Sequence, residues 1–176
     1  SDVCSSDLPV GQLLLTRDGL EHPILIKNAT NTIQTLFSQG VIPIINENDG
    51  VSTEEIGPKF GDNDELSCRV AKLIGADCLV LLTDIDGLFT DNPKKNEKAK
   101  LIHRIDLVDE KIMALVQDEK NSRSRGGMKS KLSSAKEASL SGIDVYIANG
   151  RTGEILRSEE HTSELQSQST ISYAVF

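Results

Sequence analysis

Apolar residues change period several times along the chain, and the changes divide it into alternating strands and helices. Residues 10–16 (VGQLLLT) read as a strand. Between 28 and 39, Ile33, Leu36 and Phe37 fall on one helical face, with Gly40 as the stop. The run VIPII (41–45) is apolar throughout, the mark of a strand covered on both faces, although Pro43 argues for an edge or an irregularity. Asp62 or Asn63 caps a helix that runs to Gly75, with Leu66, Val70, Leu73 and Ile74 inward. CLVLLT (78–83) is the clearest buried strand. LIHRI (101–105) suits a small edge strand. A helix over 107–118 carries Leu107, Ile112, Leu115 and Val116. Another spans 128–140 and ends at Gly142, and DVYIANG (144–150) is a last strand. Short buried strands alternating with helices predict an α/β sheet with helices on both faces.

The two ends break this pattern. RSEEHTSELQS (157–167) is polar and shows no period, and together with SDVCSSDL (1–8) it reads as a translation of the two strands of one sequencing-library adapter. The expected division is therefore an adapter-like artefact over 1–8, a partial domain over 9–156, and an adapter-like or unassigned tail over 157–176. Within that tail, the last residues have strand propensity and nothing more. Setting aside five acidic residues and one basic residue of the ends takes the chain's 27 acidic and 19 basic side chains to 22 and 18, so the formal charge moves from -8 to -4.

An acidic balance with no Lys/Arg block disfavours nucleic-acid binding. No apolar run reaches membrane-spanning length. The three cysteines, at 4, 68 and 78, have neither metal-ligand nor disulfide-framework spacing, which points to a reducing cytoplasm. There is no GxxxxGK[ST], GxGxxG or HExxH motif, and His22 and His103 read as ordinary surface or packing residues.

Polar clusters follow the strands, where open α/β sheets place their ligands. Asn46-Glu47-Asn48-Asp49-Gly50 follows VIPII, and Gly61-Asp62-Asn63-Asp64-Glu65 opens a helix. The bland readings are an Asx-rich turn and a helix cap. A cap uses one residue of the second cluster, whereas three carboxylates and an amide are present. The pair suggests a pocket for an ammonium group or a metal. Thr83-Asp84 closes CLVLLT, ahead of Asp86-Gly87-Leu88-Phe89-Thr90-Asp91-Asn92-Pro93, and alone it would be an ordinary turn. Gly126-Gly127-Met128-Lys129-Ser130-Lys131 puts glycines and two lysines at a helix start. Lysines there oppose the helix dipole unless an anion sits with them. Together these features fit a kinase that binds a small amino-containing substrate beside a nucleotide.

In order, VIPIINENDGV, FGDNDELS, GADCLVLLTDIDGLFTDNP and GGMKSKLSSAKEASLSGIDVYIANG resemble the glutamate 5-kinase branch of the amino acid kinase family. NEND followed by GDND is specific to that branch. The resemblance implies a three-layer αβα sandwich, incomplete here. It also implies transfer of the ATP γ-phosphate to the side-chain carboxylate of L-glutamate, the first step of proline biosynthesis. By the same resemblance, Asn46, Asp49, Asp62 and Asn63 hold glutamate, and Asp64 is an organising aspartate that orients the lysines around the reacting groups. Thr83, Asp84, Gly126, Gly127 and Met128 meet the nucleotide, and Lys131 stabilises the transferring phosphoryl group. Mg²⁺ is expected on the ATP phosphates, with no protein ligand named, and the full-length protein is expected to be a homo-oligomer. The other readings are a related amino acid kinase with another substrate, or a non-catalytic amino-acid-binding regulatory domain of the same fold.

Two departures stand out. Ser124-Arg125-Gly126-Gly127-Met128 replaces the family's usual Gly-Thr-Gly-Gly-Met. The family's first strand, its nucleotide-binding lysine, its glycine-rich loop and its Ser-Gly substrate loop do not precede Pro9, nor does a PUA domain follow. The 176-residue polypeptide is therefore expected to be inactive by itself.

Overall fold

The computed structural model describes residues 8–51, 62–84, 86–91, 96–116 and 127–151, and the backbone of 171–173. The chain divides into two compact units, Ser1–Leu66 and Ser67–Phe176, and the division falls inside one helix.

The first unit is a strand–helix–strand arrangement. Strand β1 (Val10–Leu15) runs parallel to β2 (Ile42–Glu47), with Val10 opposite Ile42 and Leu15 opposite Glu47. Helix α1 (Pro23–Ser38) connects them after a short 3-10 turn at Asp18–Leu20. It begins five residues before the expected start, because Pro23 occupies the first helical turn behind an extended His22. Proline is pre-shaped for that position. Gly40, at φ +69°, ends the helix as expected, and the Val41 amide reaches back to the Leu36 carbonyl at 2.9 Å.

The inward stripe of α1 is Ala29 and Ile33, while Phe37, placed inward by the sequence pattern, is 51% exposed. Gly11 lies so close to α1 that a side chain there would meet Leu36 Cδ2 at 3.0 Å. The opposite face of the two strands is open: Val10, Leu14, Ile42 and Ile44 are all exposed. VIPII is therefore not covered on both faces in this unit but lies in an edge strand, the position that Pro43 argued for. Its run is apolar, but only alternate residues turn inward, and Pro43 is accommodated opposite Gly11.

The second unit holds a four-stranded sheet in the order β3–β5–β6–β4, made of β3 (Cys78–Thr83), β4 (Arg104–Ile105), β5 (Asp144–Asn149) and β6 (Ile171–Tyr173). β3 and β6 flank β5 in parallel, and β4 pairs antiparallel with β6, at the edge. Helices α2 (Asn63–Ile74), α3 (Glu110–Ala114) and α4 (Met128–Ser139) alternate with the strands, which is the mixed α/β architecture expected. Gly142, at φ +80°, ends α4 as the pattern predicts.

The most buried strand is β5, not β3. Val145, Ile147 and Ala148 are fully buried, whereas Leu82 on β3 is 53% exposed. An interior strand has neighbours on both edges, and β3 stands at the end of the order. On α2 the buried residues of this unit are Cys68 and Ala71, and Val70, Leu73 and Ile74 are only half-buried. Leu66 is buried as expected, but beyond it small side chains, invisible to a search for large apolar ones, carry the inner face of the helix. α3 is shorter than expected. Asp109 caps it by accepting from the Ile112 amide at 2.9 Å, which leaves Leu107 ahead of the helix and exposed while Val108 is buried. The core joins Leu79, Leu81, Leu132, Ala135, Val145 and Ile147.

Candidate functional site

In the first unit, the C-terminal end of β1 is a common anchor for both acidic clusters. The Asn48 amide donates to the Leu15 carbonyl at 2.9 Å, which ties the turn after β2 to β1. That turn closes with the Val51 amide on the Asn48 carbonyl at 3.2 Å. Asn46 and Asp49 are exposed on it, and the Asn46 Oδ1 accepts from the Glu47 amide at 2.9 Å. Two residues beyond Leu15, Arg17 reaches the second cluster, its guanidinium 3.5 Å from Glu65 Oε1 and 3.2 Å from Glu21 Oε1. Leu15 and Arg17 thus hold the two clusters to one short stretch of chain.

Asp62 settles which residue caps α2. Its Oδ1 accepts from the amides of Asp64 at 3.0 Å and Glu65 at 3.1 Å. Asn63 is exposed beside it, and Asp64 is buried in the first turn. Acidic residues there are favoured by the helix dipole. Replacing Asp62 by Ala removes both bonds and should lower stability by about 1 kcal/mol, with Asn retaining most of it. Thermal melts of the two variants check this, and an Asn variant as damaged as the Ala variant would mean that charge, not capping, is what matters.

In the second unit, Thr83 ends β3 directly opposite Asn149 of β5. The Gly150 amide donates to the Thr83 carbonyl at 2.9 Å, and a side chain at Gly150 would meet Leu82 Cβ at 3.3 Å. The Asn149 carboxamide donates to Asp86 Oδ1 at 2.8 Å and accepts from the Arg151 amide at 3.0 Å. The exit loops of two neighbouring parallel strands are clipped together there, with Asp84 exposed beside them. Asn92, Pro93, Ser124, Arg125 and Gly126 lie outside the described residues.

Gly127 is the extended N-cap of α4, at φ -69° and ψ 174°, with no side-chain cap, and its carbonyl accepts from Ser130 at 2.9 Å and Lys131 at 3.3 Å. An uncapped helix start followed by lysines fits an anion such as a phosphate. The Met128 side chain is buried in the core. Lys131 is half-exposed one turn in, ahead of the buried Ser134 and Ala135. Among the described residues, no three His, Cys, Asp or Glu side chains gather as a metal site, and no helix is long and apolar enough to cross a membrane.

Sequence reasoning missed Arg17 and Asn149; Glu65 and Asp86 stood in the polar clusters it named, but without a partner or a role. The rule that ligands gather at the C-terminal ends of parallel strands, applied to β2 and β3 alone, reaches Arg17 and Asn149 when applied to β1 and β5 as well.

The profile of the amino acid kinase family matches residues 3–149. The chain belongs to that family. Among relatives of this amino acid kinase chain, the glutamate 5-kinase of Clostridium acetobutylicum is 46% identical over 148 residues, covering 84% of this chain and 55% of the relative. That of Hydrogenovibrio crunogenus is 44% identical over 156 residues, covering 89% and 41%. The chain thus spans about half the length of the curated relatives it matches. The T. acidophilum isopentenyl phosphate kinase superposes with a TM-score of 0.55 at 16% identity, over 95% of this chain and 60% of that one, a likeness of fold alone.

Proposed function

We propose that the protein carrying this amino acid kinase chain phosphorylates the side-chain carboxylate of L-glutamate at the expense of ATP. The observation that carries the reading is the joint anchoring of Asn46–Asp49 and Asp62–Asp64 at the end of β1, next to an arginine. Relatives named glutamate 5-kinase, 44 to 46% identical over this stretch, support it.

The chemistry asks for little beyond positioning. A glutamate γ-carboxylate arrives deprotonated, so its oxygen can form a bond to Pγ as the bond from Pγ to the bridging oxygen of ADP breaks, and no general base is needed. In this reading, Asp49 and Asp62 face the substrate ammonium, and Asn46 and Asn63 orient its polar groups. Thr83 and Asp84 border the nucleotide. Amides at the start of α4 and the Lys131 ammonium stabilise charge on the phosphoryl group in flight. ATP supplies that group, and Mg²⁺ bound to its phosphates neutralises their charge. In this reading Asp64, which is buried, orients the reacting groups rather than reacting. Neither Cys68 nor Cys78 is in a disulfide, which supports the reading of a reducing cytoplasm.

The test is ATP-dependent glutamyl hydroxamate formation by the complete protein, with aspartate and N-acetylglutamate as competing acceptors. Turnover on glutamate well above the other two is the expected result. Preference for either competitor, or ATP use without an amino-acid acceptor, would sink the proposal.

A further inference from the structure

We infer that Arg17 is a positioning residue for the amino-acid site, acting through Glu65 to fix the first turn of α2 against the end of β1. This rests on the glutamate reading above and adds Arg17, a residue that the acidic motifs do not contain. Asp62, Asn63 and Asp64 all ride on that first turn, so their placement follows that of Glu65. The partner cluster, around Asn48, hangs from the Leu15 carbonyl, two residues before Arg17. One guanidinium therefore connects the mounts of both halves of the pocket.

An exposed ion pair would carry little weight. Here the two side chains are only 30% and 25% exposed, and the same guanidinium also holds Glu21 at 3.2 Å. The loop that presents Arg17 is itself closed, with Thr16 Oγ1 accepting from the Gly19 amide at 3.1 Å and the Leu20 amide donating to the Arg17 carbonyl at 2.9 Å. A planar, permanently charged fork can serve two carboxylates at once, which a lysine does poorly. Arg17 also offsets one carboxylate in a turn that carries Asp62, Asp64 and Glu65. Without it, mutual repulsion loosens the mount on which the substrate must be ordered.

Arg17→Gln and Glu65→Gln, made separately in the complete protein, test this. Each should raise the glutamate KM about fivefold, with the ATP KM and kcat within about twofold. The double variant should be no worse than the more damaged single one, because both remove the same link. Arg17→Lys should recover only part of the loss. Hydrogen exchange over residues 62–68 should quicken in both Gln variants, a readout that needs no substrate. Glu65→Gln leaves the Arg17–Glu21 pair intact and so remains informative if Arg17→Gln folds poorly. Equal rises in both KM values, additive damage, or unchanged exchange would overturn the inference. Wild-type protein that does not phosphorylate glutamate would defeat the functional reading instead, while the exchange arm would still decide the role of Arg17.

Discussion

Replacing Lys131 by Ala in the complete protein should lower kcat for glutamate phosphorylation about a hundredfold or more, with the glutamate KM nearly unchanged. The reason is where charge develops. In the proposed reading glutamate is held by Asn46, Asp49, Asp62 and Asn63, none of which lies on α4, so the loss of a cation there is expected to leave those contacts intact. The negative charge on the equatorial oxygens of the phosphoryl group is greatest in flight, and an interaction made mainly then appears in kcat. Lys131 sits one turn inside an uncapped helix start, with its amide on the Gly127 carbonyl at 3.3 Å. Its stem rises from a helix whose inner face is fully buried at Leu132 and Ala135, so the ammonium is presented from a rigid base. Steady-state kinetics of the Ala and Arg variants check the claim. An effect confined to the KM of either substrate would assign Lys131 to ground-state binding instead.

What could be foreseen divides along a physical line. Features set by a few neighbouring residues were legible: β1, β2, β3 and β5 from apolar runs, and the stops at Gly40 and Gly142 from their need for positive φ. Features set by the whole fold were not. CLVLLT is the more apolar strand, yet β5 is the more buried, because sheet order is decided by residues far away in sequence. The early start of α1 was hidden because Pro23 and His22 stand where a Ser, Thr or Asp signal would have been sought.

The site shows the same division. The acidic clusters and the glycine–lysine turn announce themselves by composition. Arg17 resembles any solvated charge until α2 brings Glu65 within 3.5 Å. Asn149 likewise looks like the end of a strand until Asp86 arrives from another loop, at 2.8 Å. Both residues meet partners that no local window contains.

The second large effect is on stability. Leu132→Ala should cost about 2–5 kcal/mol, because it removes buried methyl groups and leaves a void that a close-packed neighbourhood only partly closes. Leu132 is fully buried, and with Met128, Ala135 and Ala138 it forms the stripe of α4 that enters the core. The helix packs on β5, whose Val145 and Ile147 are themselves at 0% exposure. Ala135 and Ala138 are already small, so on that stripe only Met128 is large enough to fill part of the gap. Urea unfolding of the complete protein should show a lower midpoint, and Leu132→Ile, which keeps the volume, should cost less than about 1.5 kcal/mol. A loss below about 1 kcal/mol for the Ala variant would mean that the site collapses freely and that α4 is held elsewhere. The neighbouring positions then separate two roles on one helix turn. Leu132→Ala acts on the folded fraction and Lys131→Ala on turnover, so the Leu132 variant, assayed where it is still folded, should keep most of its kcat.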